Sequence, residues 1–320
     1  MRAPRAILTG AVVALAAGGG LTGCGDAGGG TKGAAAAATP AAPLQIANGP
    51  ITPGTGPRPL AVNLADPRDP VDPHFKRPPR AGLLFDLDTG RVLWRRNPTR
   101  ALPIASLTKM MTALIVADRL PAGTKVRVTK EALAYHGSGV GVLPKGKSVG
   151  VSAMLYGLLL PSGNDAAIAL AQRTSGTVAR FVTRMNAEAA SLGLQCSHFS
   201  SPSGFVDAGN SSCPLDLAAL SRAILDQPRL AKIVGRRQAV LPFPIKGGKL
   251  FLNNNNPLLR TGYPGTIGIK TGYTDAAGRC LVAAVTRRGR RLGVVLLHSI
   301  DPGRQARVLF DRGLQEVAPR

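Results

Sequence analysis

The sequence predicts a mixed α/β fold of the α+β type, in which one sheet is built from both ends of the folded region. Two short apolar segments with strand character lie within residues 81–94, and three more lie within residues 266–298. Between them the apolar runs are longer and have helical periodicity. Strands at both ends bury their apolar faces most simply in one shared sheet, with an inserted helical subdomain over about residues 120–260.

The folded region, residues 81–320, is expected to begin with a β-hairpin. Its first strand is Ala81–Asp86, its turn is Asp88-Thr89-Gly90, and its second strand is Arg91–Trp94. The next element is a helix over Ser106–Leu120, which is apolar nearly all round and is therefore predicted to be buried. Later predicted elements are helices over residues 155–160, 165–173, 177–192 and 215–225, strands over 266–270, 279–287 and 291–298, and a closing helix over 302–315.

The composition narrows the class of partner. The 320 residues are 44% hydrophobic, which excludes a fully disordered chain, and carry a formal net charge of +23. That charge favours a polyanionic partner. Nucleic acid is not expected, because no dense Lys/Arg block occurs and aromatic residues for base stacking make up only 4% of the chain. An anionic cell envelope fits the charge, and the arginine-rich composition of a GC-rich genome explains it equally well.

The N-terminus is predicted to be an export signal, residues 1–24. Arg2 and Arg5 precede an apolar run, and Leu21-Thr22-Gly23-Cys24 resembles the bacterial lipobox, whose cysteine is lipidated and becomes the mature N-terminus. Ordinary cleavage nearby and an uncleaved anchor are the alternatives. Residues 25–80 contain 8 Gly and 11 Pro and are predicted to be a flexible linker.

The four cysteines fit an exported protein, because export implies an oxidising compartment. Cys196 and Cys213 flank a loop rich in Gly, Ser and Pro, and they are disulfide candidates whose loop closure would contribute roughly 3 kcal/mol. Cys280 lies in an apolar strand and is expected to be a buried thiol. Neither the cysteines nor the four scattered histidines match a metal motif, so no metal ion is expected.

The helix predicted to be buried opens with Ser106-Leu107-Thr108-Lys109. Residues three apart share a helix face, so the Lys109 amine can reach the Ser106 hydroxyl. A serine is a weak nucleophile until a base takes its proton, and a lysine can serve as that base if burial lowers its pKa. The S-x-x-K pattern is weak by itself, but burying an unpaired ammonium is costly and needs a reason.

Two further motifs follow in the chain. Ser162-Gly163-Asn164 lies on a turn between two predicted helices, where it would ordinarily be interpreted as a helix cap. Lys270-Thr271-Gly272 ends a predicted strand, where a small glycine lets a peptide lie alongside the edge and the two polar side chains can face a carboxylate. Each motif means little alone. Together with S-x-x-K, and in this order, they match the motif set of class A β-lactamases and penicillin-binding proteins.

The surrounding sequence closely resembles the low-molecular-weight penicillin-binding proteins, the serine D-Ala-D-Ala carboxypeptidases. Ser-Gly-Asn in place of Ser-Asp-Asn, and the lack of a Glu-x-x-Leu-Asn loop, favour these carboxypeptidases over class A β-lactamases. The resemblance covers about residues 81–320 and is carried by the segments ASLTKMMTALI, YGLLLPSGNDAAIALA, SSPSGF, NNNPLL and GIKTGYTDAAGRC. It implies the β-lactamase/DD-peptidase-like fold, an antiparallel sheet flanked by helices, and no cofactor.

The resemblance also implies a mechanism. Ser106 would attack the carbonyl of the penultimate D-Ala of a peptidoglycan pentapeptide stem, Lys109 would be the base, and Ser162 would relay a proton to the leaving amine. β-Lactams would acylate the same serine. The implied substrate-binding residues are Asn164, Lys270, Thr271, Gly272, Tyr273 and Thr274. Of these, Lys270, Thr271 and Thr274 would receive the terminal carboxylate, and the backbone N–H groups of Ser106 and Tyr273 would form the oxyanion hole.

Several alternatives stay open. A β-lactamase or a DD-endopeptidase would use the same fold. A non-catalytic penicillin-binding wall sensor is the other alternative, and the intact motif residues argue against it. Ile267-Gly268 stands where many relatives have Asp-Gly, so a carboxylate near the site is lost. The expected location is the outer face of the bacterial cytoplasmic membrane, through a lipid on Cys24, or the cell wall.

Overall fold

Strands from both ends of the chain meet at the centre of the fold. The computed structural model describes residues 60–205 and 208–316. Its strands are β1 (Ala81–Asp86), β2 (Val92–Arg96), β3 (Leu102–Pro103), β4 (Lys125–Arg127), β5 (Ser148–Gly150), β6 (Ser211–Ser212), β7 (Gln238–Pro242), β8 (Lys249–Asn253), β9 (Thr266–Thr274), β10 (Gly278–Arg287) and β11 (Arg290–Ser299). Its helices are α1 (Lys109–Arg119), α2 (Lys130–Leu133), α3 (Val151–Leu159), α4 (Asn164–Ser175), α5 (Val178–Ser191), α6 (Pro214–Asp226), α7 (Pro228–Val234), α8 (Pro257–Arg260) and α9 (Pro302–Glu316), and a 3₁₀ turn covers Ala105–Thr108.

The main sheet has five strands in the order β2-β1-β11-β10-β9. Each neighbouring pair is antiparallel. The first two strands in the chain therefore pair with the last three, and the helical part is inserted between them. The predicted fold class, an antiparallel sheet flanked by helices with an inserted helical subdomain, is confirmed.

Both faces of this sheet are buried. Leu83 and Phe85 of β1 belong to the core shared with the helical part, whereas Leu84 belongs to a second core that includes Leu309 and Phe310 of α9. Successive side chains of a strand point to opposite faces, so a strand covered by helices on both sides must be apolar at every position. This explains why β1 is continuously apolar up to its final aspartate.

The predicted buried helix is present, but it begins later than expected. Ser106 lies in the 3₁₀ turn, and the α-helix starts at Lys109. Met110, Met111 and Val116 of α1 have no exposed surface. The helix packs against α3, α4, α5, α6 and α7, so it is the central element of the helical part.

Two features of the later chain differ from the prediction. The strand predicted over residues 266–270 continues to Thr274, so all of Lys270-Thr271-Gly272 lies within β9 rather than at its end. The β7–β8 hairpin was not predicted. Its strands alternate between exposed and less exposed residues, and Gly247 and Gly248 in its turn both have positive φ.

Residues 60–80 pack against the domain, and for them the predicted flexible linker is wrong. Val62 and Val71 are buried, and the Val71 N–H donates to Leu93 O at 3.0 Å. The Asp69 carboxylate accepts hydrogen bonds from the Arg95 backbone N–H at 3.0 Å and from its Nε at 2.7 Å. Isolated valines in a proline-rich segment show no clear periodicity, so the sequence pattern could not predict these contacts. The predicted signal at 1–24 and the rest of the linker lie outside the described residues.

Cys196 and Cys213 form a disulfide, as predicted, and Cys280 is a buried thiol. The Asp216 carboxylate accepts hydrogen bonds from the Cys196 N–H at 2.7 Å and from Ser197 Oγ at 2.9 Å. Burial raises the pKa of Asp216, while these hydrogen bonds oppose that shift. Within residues 60–205 and 208–316, no helix is long and apolar enough to cross a bilayer.

Candidate active site

A cleft of about 510 Å³ lies at the edge of the main sheet. β9 is the outermost strand on this side, and it contacts the 3₁₀ turn that carries Ser106. The lining residues include three serines and part of β9, namely Ser106, Ser138, Ser162, Thr271, Gly272 and Tyr273. The three motifs of the sequence therefore meet at one cleft.

Ser106 lies in the turn that leads into the buried helix α1. The preceding Ala105 has a φ of +49°, a left-handed conformation that costs a non-glycine residue roughly 1–2 kcal/mol. Thr108 Oγ1 stabilises the turn by donating to Ala105 O at 2.8 Å, and it accepts from Asn210 Nδ2 at 2.8 Å. The partial positive charge at a helix N-terminus favours an anion that forms beside Ser106.

Gly272 lets β9 approach this turn closely. A Cβ atom at position 272 would lie 2.8 Å from Ile104 O and 3.1 Å from Ser106 N. Gly204 also approaches this turn closely, because a Cβ at that position would lie 2.0 Å from Ala105 O. The glycine of Lys270-Thr271-Gly272 is therefore needed for packing against the nucleophile turn, a reason that the sequence does not show.

Lys109 is completely buried directly beside Ser106. Its Nζ lies 2.8 Å from Ser106 Oγ, 2.6 Å from Asn164 Oδ1 and 2.8 Å from Ser203 O. Burial lowers the pKa of Lys109 well below its usual value, the positive charge of Lys270 lowers it further, and Asp165 opposes these effects. A neutral amine at this distance can accept the hydroxyl proton of Ser106.

Ser162 and Asn164 lie in the turn between α3 and α4. Ser162 has a φ of +69°, and a strained conformation of this kind is common at functional sites. Asn164 uses both ends of its amide, because Oδ1 accepts from Lys109 while Nδ2 donates to His136 O. The motif alone would ordinarily be interpreted as a helix cap, but these contacts join it to Lys109 and to the His136 backbone.

Lys270 is the second buried cation of the site, with 1% of its surface exposed. Its Nζ donates to Ser162 Oγ at 3.0 Å and to Thr271 O at 2.8 Å. Burial lowers the pKa of Lys270 to about 7. Ser162 is thus hydrogen-bonded to one lysine of the site, and Ser106 to the other.

The remaining residues predicted to bind substrate lie partly in the cleft and partly at the end of β9. Thr271, Gly272 and Tyr273 line the cleft, and the Tyr273 side chain is 63% exposed. Thr274 does not line the cleft, and its Oγ1 accepts from the Ala277 N–H at 3.1 Å in the turn after β9. Its expected contact with a substrate carboxylate stays a prediction.

Two residues of the site were not assigned by the sequence. Ser203 contributes a backbone carbonyl to Lys109, and the only sequence signal for it was the SSPSGF segment in which it lies. The Asp165 carboxylate accepts N–H donors from Val140 at 2.9 Å and Gly141 at 3.1 Å, so it holds the loop that carries Ser138 against the cleft. No motif predicts a contact between residues this far apart.

We expect the pH profile of kcat/KM to be bell-shaped. Activity is expected to rise as Lys109 loses its proton at its lowered pKa, and to fall above about pH 7 as Lys270 loses the charge that is predicted to hold a substrate carboxylate. Initial rates between pH 5 and 10 measure both limbs. Lys270→Arg keeps its charge across this range and removes the alkaline limb. A wild-type rate that rises steadily to pH 10 would contradict these roles.

The fold and the site define a class of protein, the serine hydrolases in which a buried lysine adjoins the nucleophilic serine. The sequence profile of Peptidase S11, described as D-alanyl-D-alanine carboxypeptidase, matches residues 76–300. The chain therefore belongs to the Peptidase S11 family of D-alanyl-D-alanine carboxypeptidases.

Individual relatives agree with this assignment. The chain is 38% identical over 244 residues to the D-alanyl-D-alanine carboxypeptidase DacB2 of Mycobacterium tuberculosis, covering 74% of this chain and 82% of that protein. It is 35% identical over 228 residues to the carboxypeptidase DacF of Bacillus subtilis, covering 70% of this chain but only 58% of the relative's length.

Solved structures show the same fold. A D-alanyl-D-alanine carboxypeptidase from Mycobacterium tuberculosis superimposes with a TM-score of 0.72 at 35% identity, covering 78% of this chain and 95% of that one. The DD-transpeptidase of Streptomyces K15 superimposes with a TM-score of 0.70 at 30% identity, covering 76% of this chain and all of that one.

Proposed function

We propose that this protein is a penicillin-binding serine D-alanyl-D-alanine carboxypeptidase that removes the terminal D-Ala from peptidoglycan stem peptides. The observation that carries the proposal is the buried Lys109 amine, held 2.8 Å from Ser106 Oγ, with its pKa lowered well below the usual value. A lysine in this state is a base placed at a nucleophile. Family membership supplies the substrate class.

Acylation is the first half of the proposed reaction. Ser106 Oγ attacks the carbonyl carbon of the penultimate D-Ala while its proton passes to Lys109 Nζ. The oxygen of the tetrahedral intermediate is stabilised by the backbone N–H groups of Ser106 and Tyr273, each donor contributing about 3 kcal/mol. The C–N bond then breaks, and Ser162 relays a proton to the departing D-Ala amine.

Deacylation completes the cycle, when water attacks the ester of Ser106 and releases the shortened peptide. Lys270 and Thr271 hold the terminal carboxylate before cleavage, and Asn164 holds Lys109 and the substrate amide. Thr274, at the end of the same strand β9, is expected to contribute to that carboxylate site. The peptide lies along the β9 edge, beside Gly272 and Tyr273, which line the cleft.

The test combines a fluorescent penicillin with a peptide assay. We expect one penicillin per chain, bound covalently and persistently, because its ring amide mimics the scissile bond. We also expect D-Ala release from a peptide ending in D-Ala-D-Ala. Rapid, repeated turnover of the penicillin would instead indicate a β-lactamase, and labelling without D-Ala release would indicate a non-catalytic penicillin sensor. A chain that shows neither reaction would refute the proposal.

We propose, in addition, that the protein acts outside the cytoplasm and is anchored by a lipid on Cys24. The lipobox-like sequence, the disulfide and a peptidoglycan substrate all support this location. Mass spectrometry of the mature protein is expected to find Cys24 as a diacylated N-terminus. Cys24→Ser is expected to release the protein from membranes, and an unmodified N-terminus downstream of Cys24 would refute lipidation.

A further inference from the structure

The β7–β8 hairpin presents an apolar pair to solvent. β7 and β8 form a separate two-stranded sheet, and no residue of either strand lines the catalytic cleft. Val240 and Phe251 stand directly opposite each other and are 53% and 69% exposed, whereas Leu250 and Leu252 are buried beneath them. Cross-strand partners share one face of a sheet, so the outer face of the hairpin is apolar at its centre.

The segment that contains this hairpin carries only positive charge. Residues 227–274 include eight Lys and Arg and no Asp or Glu. Arg236 and Arg237 precede β7, and Lys246 and Lys249 flank the glycine pair of its turn. All four are exposed, and the ion pairs found among residues 60–205 and 208–316 involve none of them.

An open groove lies at the start of the hairpin. It has a volume of about 550 Å³ and is lined by Gly235, Arg236, Arg237 and Gln238. Two adjacent arginines in a concave surface suit phosphate, because each guanidinium can donate two parallel hydrogen bonds to its oxygens. The groove ends at Gln238, two positions before Val240 in the same strand, so the groove and the apolar pair are close together on the hairpin.

We propose that the outer face of the β7–β8 hairpin docks on an anionic lipid bilayer. Phe251 and Val240 enter the boundary between headgroups and acyl chains, while Arg236, Arg237, Lys246 and Lys249 contact lipid phosphates. A basic surface with a protruding aromatic residue has the chemistry of an interfacial membrane contact. This contact is independent of the proposed catalysis, and it adds a second membrane signal to the lipid on Cys24.

Other occupants fit the surface less well. A soluble anionic wall polymer would pair with the cations but would leave the Val240–Phe251 pair in water. A second copy of this chain docked face to face would cover the apolar pair, but it would bring two basic surfaces together. Of these three occupants, only a bilayer offers anionic groups and hydrocarbon at one boundary.

The test places a fluorophore at the apolar pair of the full-length protein. Phe251→Trp is mixed with vesicles of phosphatidylglycerol or of phosphatidylcholine, with and without brominated acyl chains. On phosphatidylglycerol we expect a blue shift and quenching by bromine, with little of either on phosphatidylcholine. The wild-type chain, whose one tryptophan Trp94 is buried, is expected to show neither. An N-terminal lipid alone does not bring residue 251 into the bilayer.

A matched pair of charge variants tests the basic residues. Lys246→Glu with Lys249→Glu is expected to reduce the quenching at residue 251 by about tenfold or more. Lys145→Glu with Lys147→Glu makes the same charge change at two other exposed lysines. This control is expected to leave the quenching at residue 251 nearly unchanged. Thermal melting confirms that each variant is folded, and penicillin labelling of the same samples reports the catalytic site separately.

Several outcomes would overturn the docking proposal. The first is that brominated phosphatidylglycerol vesicles do not quench the tryptophan at position 251, although the protein is folded and reacts with penicillin. Equal quenching on both lipids would show that the basic surface does not select the lipid. An equal loss of quenching in the two double-lysine variants would show that Lys246 and Lys249 have no specific part. A blue shift that depends on protein concentration without vesicles would indicate self-association. Charge-dependent binding to a soluble polyphosphate without quenching on vesicles would indicate a polymer site.

Discussion

Replacing Ser106 with alanine is expected to abolish covalent penicillin labelling and to lower the rate of D-Ala release by about 10⁴-fold or more. The change removes the hydroxyl oxygen that lies 2.8 Å from Lys109 Nζ, which is the atom expected to form the ester. Labelling is measured by gel fluorescence and by the mass of the intact protein. Release is measured with a coupled assay for D-Ala.

Ser138→Ala is the matched control for this variant. Ser138 lines the same cleft, and its backbone carbonyl, which the substitution retains, accepts the Asn164 N–H at 2.8 Å. We expect this variant to be labelled at a rate within about tenfold of wild type. Equal labelling of Ser106→Ala and wild type would mean that another residue is acylated, and the assigned nucleophile would be wrong.

Lys109→Met is expected to lower the rate of acylation by about 10³- to 10⁴-fold while the protein stays folded. Methionine fills a similar volume but cannot accept the Ser106 proton. The substitution also removes a buried amine whose charged form is strongly disfavoured. This gain offsets the stability lost with the hydrogen bonds to Asn164 Oδ1 and Ser203 O, so the protein is expected to stay folded. Stopped-flow labelling with a chromogenic penicillin measures the acylation step directly.

Lys109→Arg separates the two possible roles of the lysine. Arginine keeps a positive charge beside Ser106 but does not act as a base at any pH of the assay, so it is expected to be as slow as methionine. The remaining rate in both variants is expected to lose the acid limb of the pH profile. Acylation of folded Lys109→Met at the wild-type rate would refute Lys109 as the base.

Much of this site could be predicted because its chemistry is local in the chain. Ser106 and Lys109 are three residues apart, and any helical conformation brings them together. The helix over 106–120 was recognised from its continuous apolar composition, which is also what buries Lys109. The sheet was recognised for the same reason, since its strands are apolar on both faces.

Contacts between distant segments could not be predicted in this way. The Asn164–Lys109 and Ser162–Lys270 hydrogen bonds join residues 55 and 108 positions apart, and only the resemblance to a known family placed them together beforehand. The packing of residues 60–80, the hairpin β7–β8 and the turn position of Thr274 had no such guide. Each depends on which surface is left uncovered once the main elements have packed.

The sequence by itself determined the fold class, the helix that buries the lysine and the three motifs, because apolar periodicity and residue spacing act over a few neighbours. The tertiary structure alone decided that the lowered pKa values of Lys109 and Lys270 arise in one site, and that Gly272 is needed to seat β9 on the Ser106 turn. Desolvation, charge–charge interaction and close packing depend on distances in space. Those distances exist only after segments far apart in the chain have come together.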